Sequence, residues 1–359
     1  MARSLEREGV GVEFIGPLET SLHTLRQVRS RVQRSFGAAY LYDRDPRVLR
    51  HYARQVESRA RDLAVDAIFS PGTIPIAYLD TDIPLVTWTD ATFAGMLDYY
   101  PAFSKLSRAT IRCGHAVERA ALGRASAALY SSTWAARSAV EDYEADPDKV
   151  QVLPFGANLD IEPSWDEVMA SIEGRARGEC RLLFVGVDWY RKGGDRALAL
   201  AERLTGSGVR TRLTVIGCRP PRSAASGLVD SLGFSSKSTP SGAATLTRAL
   251  RESHFLCLPS RADCTPVVLC EAAAYGVPCL SVRTGGIESV VTDGVNGYLF
   301  PAERFVDEAS ECVARYLADY DGSYTSLARS SREEYGSRLN WAVSVRVLAE
   351  RISGLIAGR

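Results

Sequence analysis

Two carboxylates, an adjacent pair of cations and an adjacent pair of glycines hold most of the chemistry this chain can offer. Asp263 and Glu271 bracket the seven residues CTPVVLC. The segment turns at Pro266 and then becomes apolar, so the first acid is expected at a strand-to-helix junction and the second inside the helix. Such an arrangement aims both acids and a helix N-terminus at one ligand. Glu271 could there accept hydrogen bonds from ribose hydroxyls, and Asp263 could hold sugar hydroxyls or stand near a reacting anomeric carbon. The residues alone also allow Asp263 to cap the helix and Glu271 to pair with an arginine. Arg191 and Lys192 sit in GVDWYRKGG, which runs from Gly186 after the apolar stretch LLFV to Gly194 before a helical pattern. Glycines beside two cations at a helix start make a diphosphate site or a solvated basic turn. Gly285 and Gly286 follow the stretch CLSV and Thr284. Their amides can face an anion or a sugar, or simply form a tight turn.

These loops need a scaffold that places strand ends side by side. Short apolar runs alternate with longer charged, helix-patterned stretches through both halves. In the first half they cover 10–15, 66–70, 85–88, 127–131 and 150–154; in the second they cover 181–187, 212–216, 255–259 and 278–282. Buried strands alternating with helices predict an α/β protein with parallel, doubly wound sheets. In such sheets ligands bind beyond the carboxyl ends of the strands. Within the helix from Asp195 to Gly206, Ala197, Leu200, Ala201 and Leu204 fall at i, i+3, i+4 and i+7, the stripe of a helix laid on a sheet. The polar stretch 163–178 reads as a linker. It separates an N-terminal domain over 1–165 from a C-terminal domain over 178–335. An amphipathic helix from Asn340 to Ile356 lies in a segment, 336–359, expected to pack across the two domains.

A chain of 359 residues with 46% hydrophobic and 24% charged residues fits two globular domains. Its 43 basic and 43 acidic residues balance, which gives no sign of a nucleic-acid partner or of peripheral membrane association. The apolar runs fall short of the roughly 18 residues of a membrane-spanning helix. Eight cysteines are scattered without a Cys-x-x-Cys pair, the pattern of buried reduced thiols in a cytoplasmic protein. His115 reads as a solvated or half-buried helical histidine, His23 and His51 lie among arginine-rich helical residues, and His254 opens a strand. Asp43-Arg44-Asp45 and Asp80-Thr81-Asp82 lie in turn-like, proline-flanked settings that argue against metal binding.

The motifs also occur in a telling order: strand-Gly-x5-Lys-Gly, LPSRAD-x7-Glu-Ala, Gly-Val-Pro, Thr-Gly-Gly and Asp-Gly-x-Asn-Gly, preceded by Val152-Leu153-Pro154-Phe155-Gly156. This order resembles retaining glycosyltransferase family 4, whose members have the GT-B fold of two Rossmann-like domains. The resemblance implies an enzyme that moves a sugar from a nucleotide-diphosphate-sugar donor to a carbohydrate, lipid or small-molecule acceptor, with retention and without a metal or other cofactor. Donor binding then belongs to the C-terminal half. Gly186, Arg191 and Lys192 match the diphosphate loop, and Glu271 matches the second acid of Glu-x7-Glu, which holds the ribose. Asp263 stands at the first acid, one methylene shorter than the usual Glu. Thr265, Pro266, Val267 and Val268 match the loop whose amides meet sugar and phosphates, and Gly285 and Gly286 complete the donor side. Where the family often has a histidine in its first domain, the stretch Leu85–Asp90 offers Asp90, which becomes an acceptor-side catalytic candidate beside Asp263. Family members open with a strand and a glycine-rich loop, whereas this chain opens with a helix over Met1–Gly9. The expectation is an N-terminal domain lacking its first strand, with Met1 internal to a longer chain or the sequence a truncated copy. The rival class is a non-catalytic nucleotide-sugar-binding or scaffold protein derived from such a transferase.

Overall fold

A computed structural model describes residues 1–20, 39–221 and 227–358; His23 lies outside the described residues. The chain divides into two compact units, one of Met1–Pro154 with Ser344–Arg359 and one of Phe155–Val343.

Among the described residues the first unit has four parallel strands, β1 (Ile68–Ser70), β2 (Leu85–Thr89), β3 (Ala127–Tyr130) and β4 (Val150–Val152), in the order β1-β2-β3-β4. Among the described residues its longer helices are α1 (Ala2–Arg7), α2 (Pro46–Leu63), α3 (Arg108–Arg124) and α4 (Thr133–Tyr143). Helix α2 starts where Asp45 accepts a hydrogen bond from the Arg47 amide at 3.0 Å and Pro46 fills the first helical position. Its buried stripe, Leu49, Ala53, Val56 and Ala60, packs with Ile68, Leu85, Val117 and Ala121 in one core cluster. The strand expected at 10–15 does not form. Val10 donates back to Leu5 across the end of α1, and Phe14 is 78% exposed. Gly9, Gly11 and Gly16 interrupt the short apolar alternation, and glycine weakens a strand by leaving little side chain to pack.

The second unit holds six parallel strands, β5 (Cys180–Val185), β6 (Thr211–Ile216), β7 (Val229–Gly233), β8 (Phe255–Leu258), β9 (Cys279–Val282) and β10 (Gly297–Phe300), in the order β10-β9-β8-β5-β6-β7. Strand β5 pairs with β6 on one side and β8 on the other, with Leu182 opposite Phe255. The chain therefore reverses its direction of winding between β5 and β8, and this switch point is where an open parallel sheet forms its ligand crevice. The helices are α5 (Trp165–Glu173), α6 (Gly194–Gly206), α7 (Pro240–Glu252), α8 (Val268–Ala274), α9 (Phe305–Ala318) and α10 (Thr325–Arg338). Helix α11 (Trp341–Ala357) begins in this unit and ends in the first. The stripe foreseen on α6 is fully buried at Ala197, Leu200, Ala201 and Leu204. The stretch read as a linker instead carries α5, because Ser164 and Glu167 form a reciprocal capping box and Val168 and Ile172 face the core.

A buried acid marks the first unit. Glu118 on α3 is 2% exposed and accepts a hydrogen bond from Thr73 Oγ1 at 2.8 Å. Burial pushes its carboxyl up to about 7 from an ordinary 4.5, against the opposing pull of Thr73 and Arg44. The folded state thus holds this proton more tightly than the unfolded chain. Its contribution to stability is complete below pH 4.5 and is lost as pH rises from 4.5 to about 7. Glu118→Gln keeps an acceptor for Thr73 without a titrating charge. Urea unfolding should find it more stable than the parent by about 3 kcal/mol at pH 8, with the difference vanishing near pH 4.5; equal stabilities at both pH values would refute the assignment.

Candidate functional site

The loops after β5, β8 and β9 meet at the carboxyl edge of the second sheet. The loop after β5 folds on itself, with the Arg191 amide donating to Asp188 Oδ1 at 2.9 Å and the Lys192 amide to the Asp188 carbonyl at 3.1 Å. Gly193 closes it at φ +79°, and a Cβ there would stand 2.1 Å from the Pro259 carbonyl oxygen. Only glycine permits this approach of the β5 loop to the end of β8. Further bonds fasten the two loops together. The Arg261 amide donates to the Arg191 carbonyl at 2.7 Å, and Arg191 Nη1 donates to the Ala262 carbonyl at 2.8 Å. Arg261 makes a two-pronged pair with Asp195 at 2.7 Å on each arm, and its guanidinium lies 3.9 Å over the Tyr190 ring.

Both acids lie in this region, and each carries a lysine. Asp263 is 6% exposed; its Oδ2 is paired by Lys192 Nζ and accepts from Ser260 Oγ at 3.1 Å. Glu271, in α8, is fully buried, and Lys237 Nζ contacts both of its carboxylate oxygens. Burial raises the Glu271 pKa, with Lys237 pulling in the opposite direction. Val267, four residues after Asp263, precedes α8 and makes no side-chain capping bond. Glu271 does pair with a cation, but with a lysine.

The remaining donor-side candidates surround these pairs. Gly186 continues β5 by donating to the Ile216 carbonyl at 2.9 Å. Thr265 is buried and its hydroxyl turns back to the Cys264 carbonyl at 2.8 Å; Pro266 and Val267 lead into α8, which Val268 begins. Gly285 has φ +51°, and the Gly286 amide donates to the Asp263 carbonyl at 3.3 Å, so that amide supports the Asp263 loop. A short 3-10 turn, Ile287–Ser289, follows. Asp90 belongs to the first unit, directly after β2 and half-buried. In the same unit His115 is half-buried, with Nδ1 2.9 Å from the Tyr143 hydroxyl and its pKa lowered chiefly by burial.

Sequence reasoning missed Lys237, Ser260 and the Arg261–Asp195 pair. Ser260 and Arg261 lie inside the LPSRAD motif and were within reach of closer reading. Lys237, in the polar run Ser235-Ser236-Lys237-Ser238, has no local feature that sets it apart from a solvated lysine. Among the described residues, no group of three or more His, Cys, Asp or Glu side chains is placed to hold a metal ion, and no helix is long and apolar enough to cross a membrane. Six of the eight cysteines are buried and all are unbridged.

Two parallel-sheet α/β units, the second with charged loops at its switch point, define a protein of the GT-B class. Solved structures agree on the fold. A sucrose-phosphate synthase from Thermosynechococcus elongatus matches at a TM-score of 0.64 and 17% identity, over 87% of this chain and 79% of that one. WaaG, a glycosyltransferase involved in lipopolysaccharide biosynthesis, matches at 0.62 and 18%, over 98% and 94%. HepE of Anabaena in complex with UDP-glucose matches at 0.58 and 15%, over 86% and 82%. Residues 168–334, all within the second unit, match the model of glycosyl transferases group 1. Among curated relatives, a D-inositol 3-phosphate glycosyltransferase of Nocardia farcinica is 30% identical over 234 residues, 62% of this chain and 51% of that protein. One from Acidothermus cellulolyticus is 32% identical over 188 residues, 48% and 41% of the respective chains. The chain spans about half the length of the curated relatives it matches.

The buried Lys192–Asp263 pair sets a stability expectation. Removing one partner strands the other charge, which typically costs 3–5 kcal/mol, roughly, whereas removing both restores much of the loss. Lys192→Met and Asp263→Asn should each lower the urea midpoint, and the double variant should lie well above the sum of the two losses. Strict additivity would show that the pair is not coupled.

Proposed function

We propose that this chain is a glycosyltransferase that transfers a sugar from a nucleotide-diphosphate-sugar to an acceptor, with retention at the anomeric carbon. The reading rests on one observation above all: Arg191, Lys192, Asp263 and Glu271 converge on loops and a helix start around the β5–β8 switch point of one sheet. In this reading Glu271 accepts two hydrogen bonds from the ribose. Arg191, Lys192 and the N-terminus of α6 take the negative charge that builds on the departing diphosphate, the kind of fixed electrostatic stabilisation that a dry site makes effective. No metal is required for that task. Asp263 faces the transferred sugar, the amides of Thr265, Val267, Val268 and Gly285 line the phosphate side, and Lys192 moves from Asp263 to the diphosphate as the donor enters.

In the reaction the bond between the anomeric carbon and the diphosphate oxygen breaks as the acceptor oxygen bonds to the same face of that carbon. The acceptor proton passes to the leaving phosphate oxygen. Acceptor binding belongs to the first unit, with Asp90 at the end of β2 as its candidate. The known ligands and names of relatives support starting with UDP-glucose as the donor and an inositol phosphate as the acceptor. The setting is cytoplasmic, in keeping with the reduced, buried cysteines.

Thermal melting with UDP, GDP, ADP and their glucose conjugates tests the reading. One nucleotide series should raise the melting temperature. Glu271→Gln should weaken that ligand at least about tenfold, because charge-assisted hydrogen bonds contribute about 1.5–3 kcal/mol each. The same protein should release nucleotide diphosphate when donor and acceptor are both supplied. Stabilisation by none of the nucleotides would defeat the proposal, and binding without any turnover would make the chain a nucleotide-sugar-binding protein.

A further inference from the structure

One contact at the nucleotide end of the site is at odds with easy access. Glu271 has no exposed surface, and both of its oxygens are held by Lys237 Nζ. A ribose diol needs those same two oxygens, so it cannot dock while the ammonium stays in place. The two partners differ sharply in freedom. Glu271 is set in α8 among Leu269, Cys270, Ala272 and Ala273, all fully buried, whereas the Lys237 side chain is 44% exposed. Lys237 sits between Gly233, at φ +65°, and Thr239, which caps α7. The hydrogen bonds of the neighbouring residues are short-range: the Thr239 amide donates to the Ser236 carbonyl at 3.2 Å, and the Ser236 and Ser238 hydroxyls lie 2.6 Å apart. The acid is therefore fixed and the lysine is the partner able to leave.

Resting on the reading of Glu271 as the ribose acceptor, we infer that Lys237 is a built-in competitor for the nucleotide, a latch that must swing off Glu271 before the ribose binds. It is a specificity-determining residue, since only a ligand offering two donors at ribose spacing compensates both oxygens that the ammonium abandons. A buried carboxylate left with fewer partners is costly. The Asn158 amide also serves Glu271, but a ligand lacking one hydroxyl, such as a 2′-deoxynucleotide, supplies one partner where the ammonium contacted both oxygens, and loses the exchange. Lys237 also keeps the Glu271 charge compensated in the empty protein, a role that the family motif by itself leaves unassigned.

Isothermal titration with UDP on the full chain tests the latch. Lys237→Met should bind UDP at least about fivefold more tightly than the parent, and Lys237→Arg, which keeps a cation for Glu271, should not. In the parent protein, amine acetylation read by mass spectrometry should label Lys237 at least about threefold faster with saturating UDP than without. This second readout stands even if Lys237→Met folds poorly. Unchanged or weaker UDP binding by a folded Lys237→Met, or no rise in labelling, would overturn the latch. Glu271→Gln separates the two ideas: if it loses UDP while Lys237→Met gains nothing, the donor site stands and the latch falls. If Glu271→Gln binds UDP as the parent does, both fall.

Discussion

The approach of Gly193 to the carbonyl of Pro259 is the contact on which the site depends. It brings the loop after β5 against the end of β8, two strands that are neighbours in the sheet though far apart in sequence. From that contact follow the hydrogen bonds of Arg191 to the β8 loop, the start of α6 under the same edge, and the reach of Lys192 to Asp263. A Cβ at position 193 would overlap the Pro259 carbonyl oxygen, so the loops would have to move apart and those bonds would be stretched. The Arg261–Asp195 pair, stacked on Tyr190, then holds the junction from its outer side.

Charge burial is the second organising constraint. Both acids are withdrawn from water, and a withdrawn carboxylate needs a partner or a proton. Asp263 is served by Lys192 and Ser260, and Glu271 by Lys237, so both charges are compensated within the protein. The first unit handles the same problem differently. Glu118 has a hydroxyl, the Phe93 backbone and a nearby arginine, with no lysine paired to it, and its carboxyl shifts towards the neutral form.

Much of the fold was legible because its signals are local. Eight of the expected strand segments coincide with strands, and the α6 stripe was fully buried as its spacing predicts. The failures are equally physical. Strand β7 is an edge strand with half-exposed VDSLG residues, so it carries no apolar run to read. Strand β10 is four residues hidden behind a turn motif. The segment at 163–178 looked polar because a nine-residue helix buries only Val168 and Ile172 of its side chains. The expected strand at 10–15 had apolar residues but too many glycines and no partner in the ladder.

For the site, the sequence determined which residue types stand at strand ends: the basic pair after β5, the two acids around the start of α8, and the paired glycines after β9. Their spacing follows from local rules of turn and helix formation, which act over a few residues. The tertiary structure decided which of them touch. Lys192 reaches Asp263 across 71 positions and Lys237 reaches Glu271 across 34, contacts that exist only because β8 and β5 are adjacent and the β7–α7 loop overhangs α8. Strand order is a property of the whole packed sheet, and no local pattern in the chain records it.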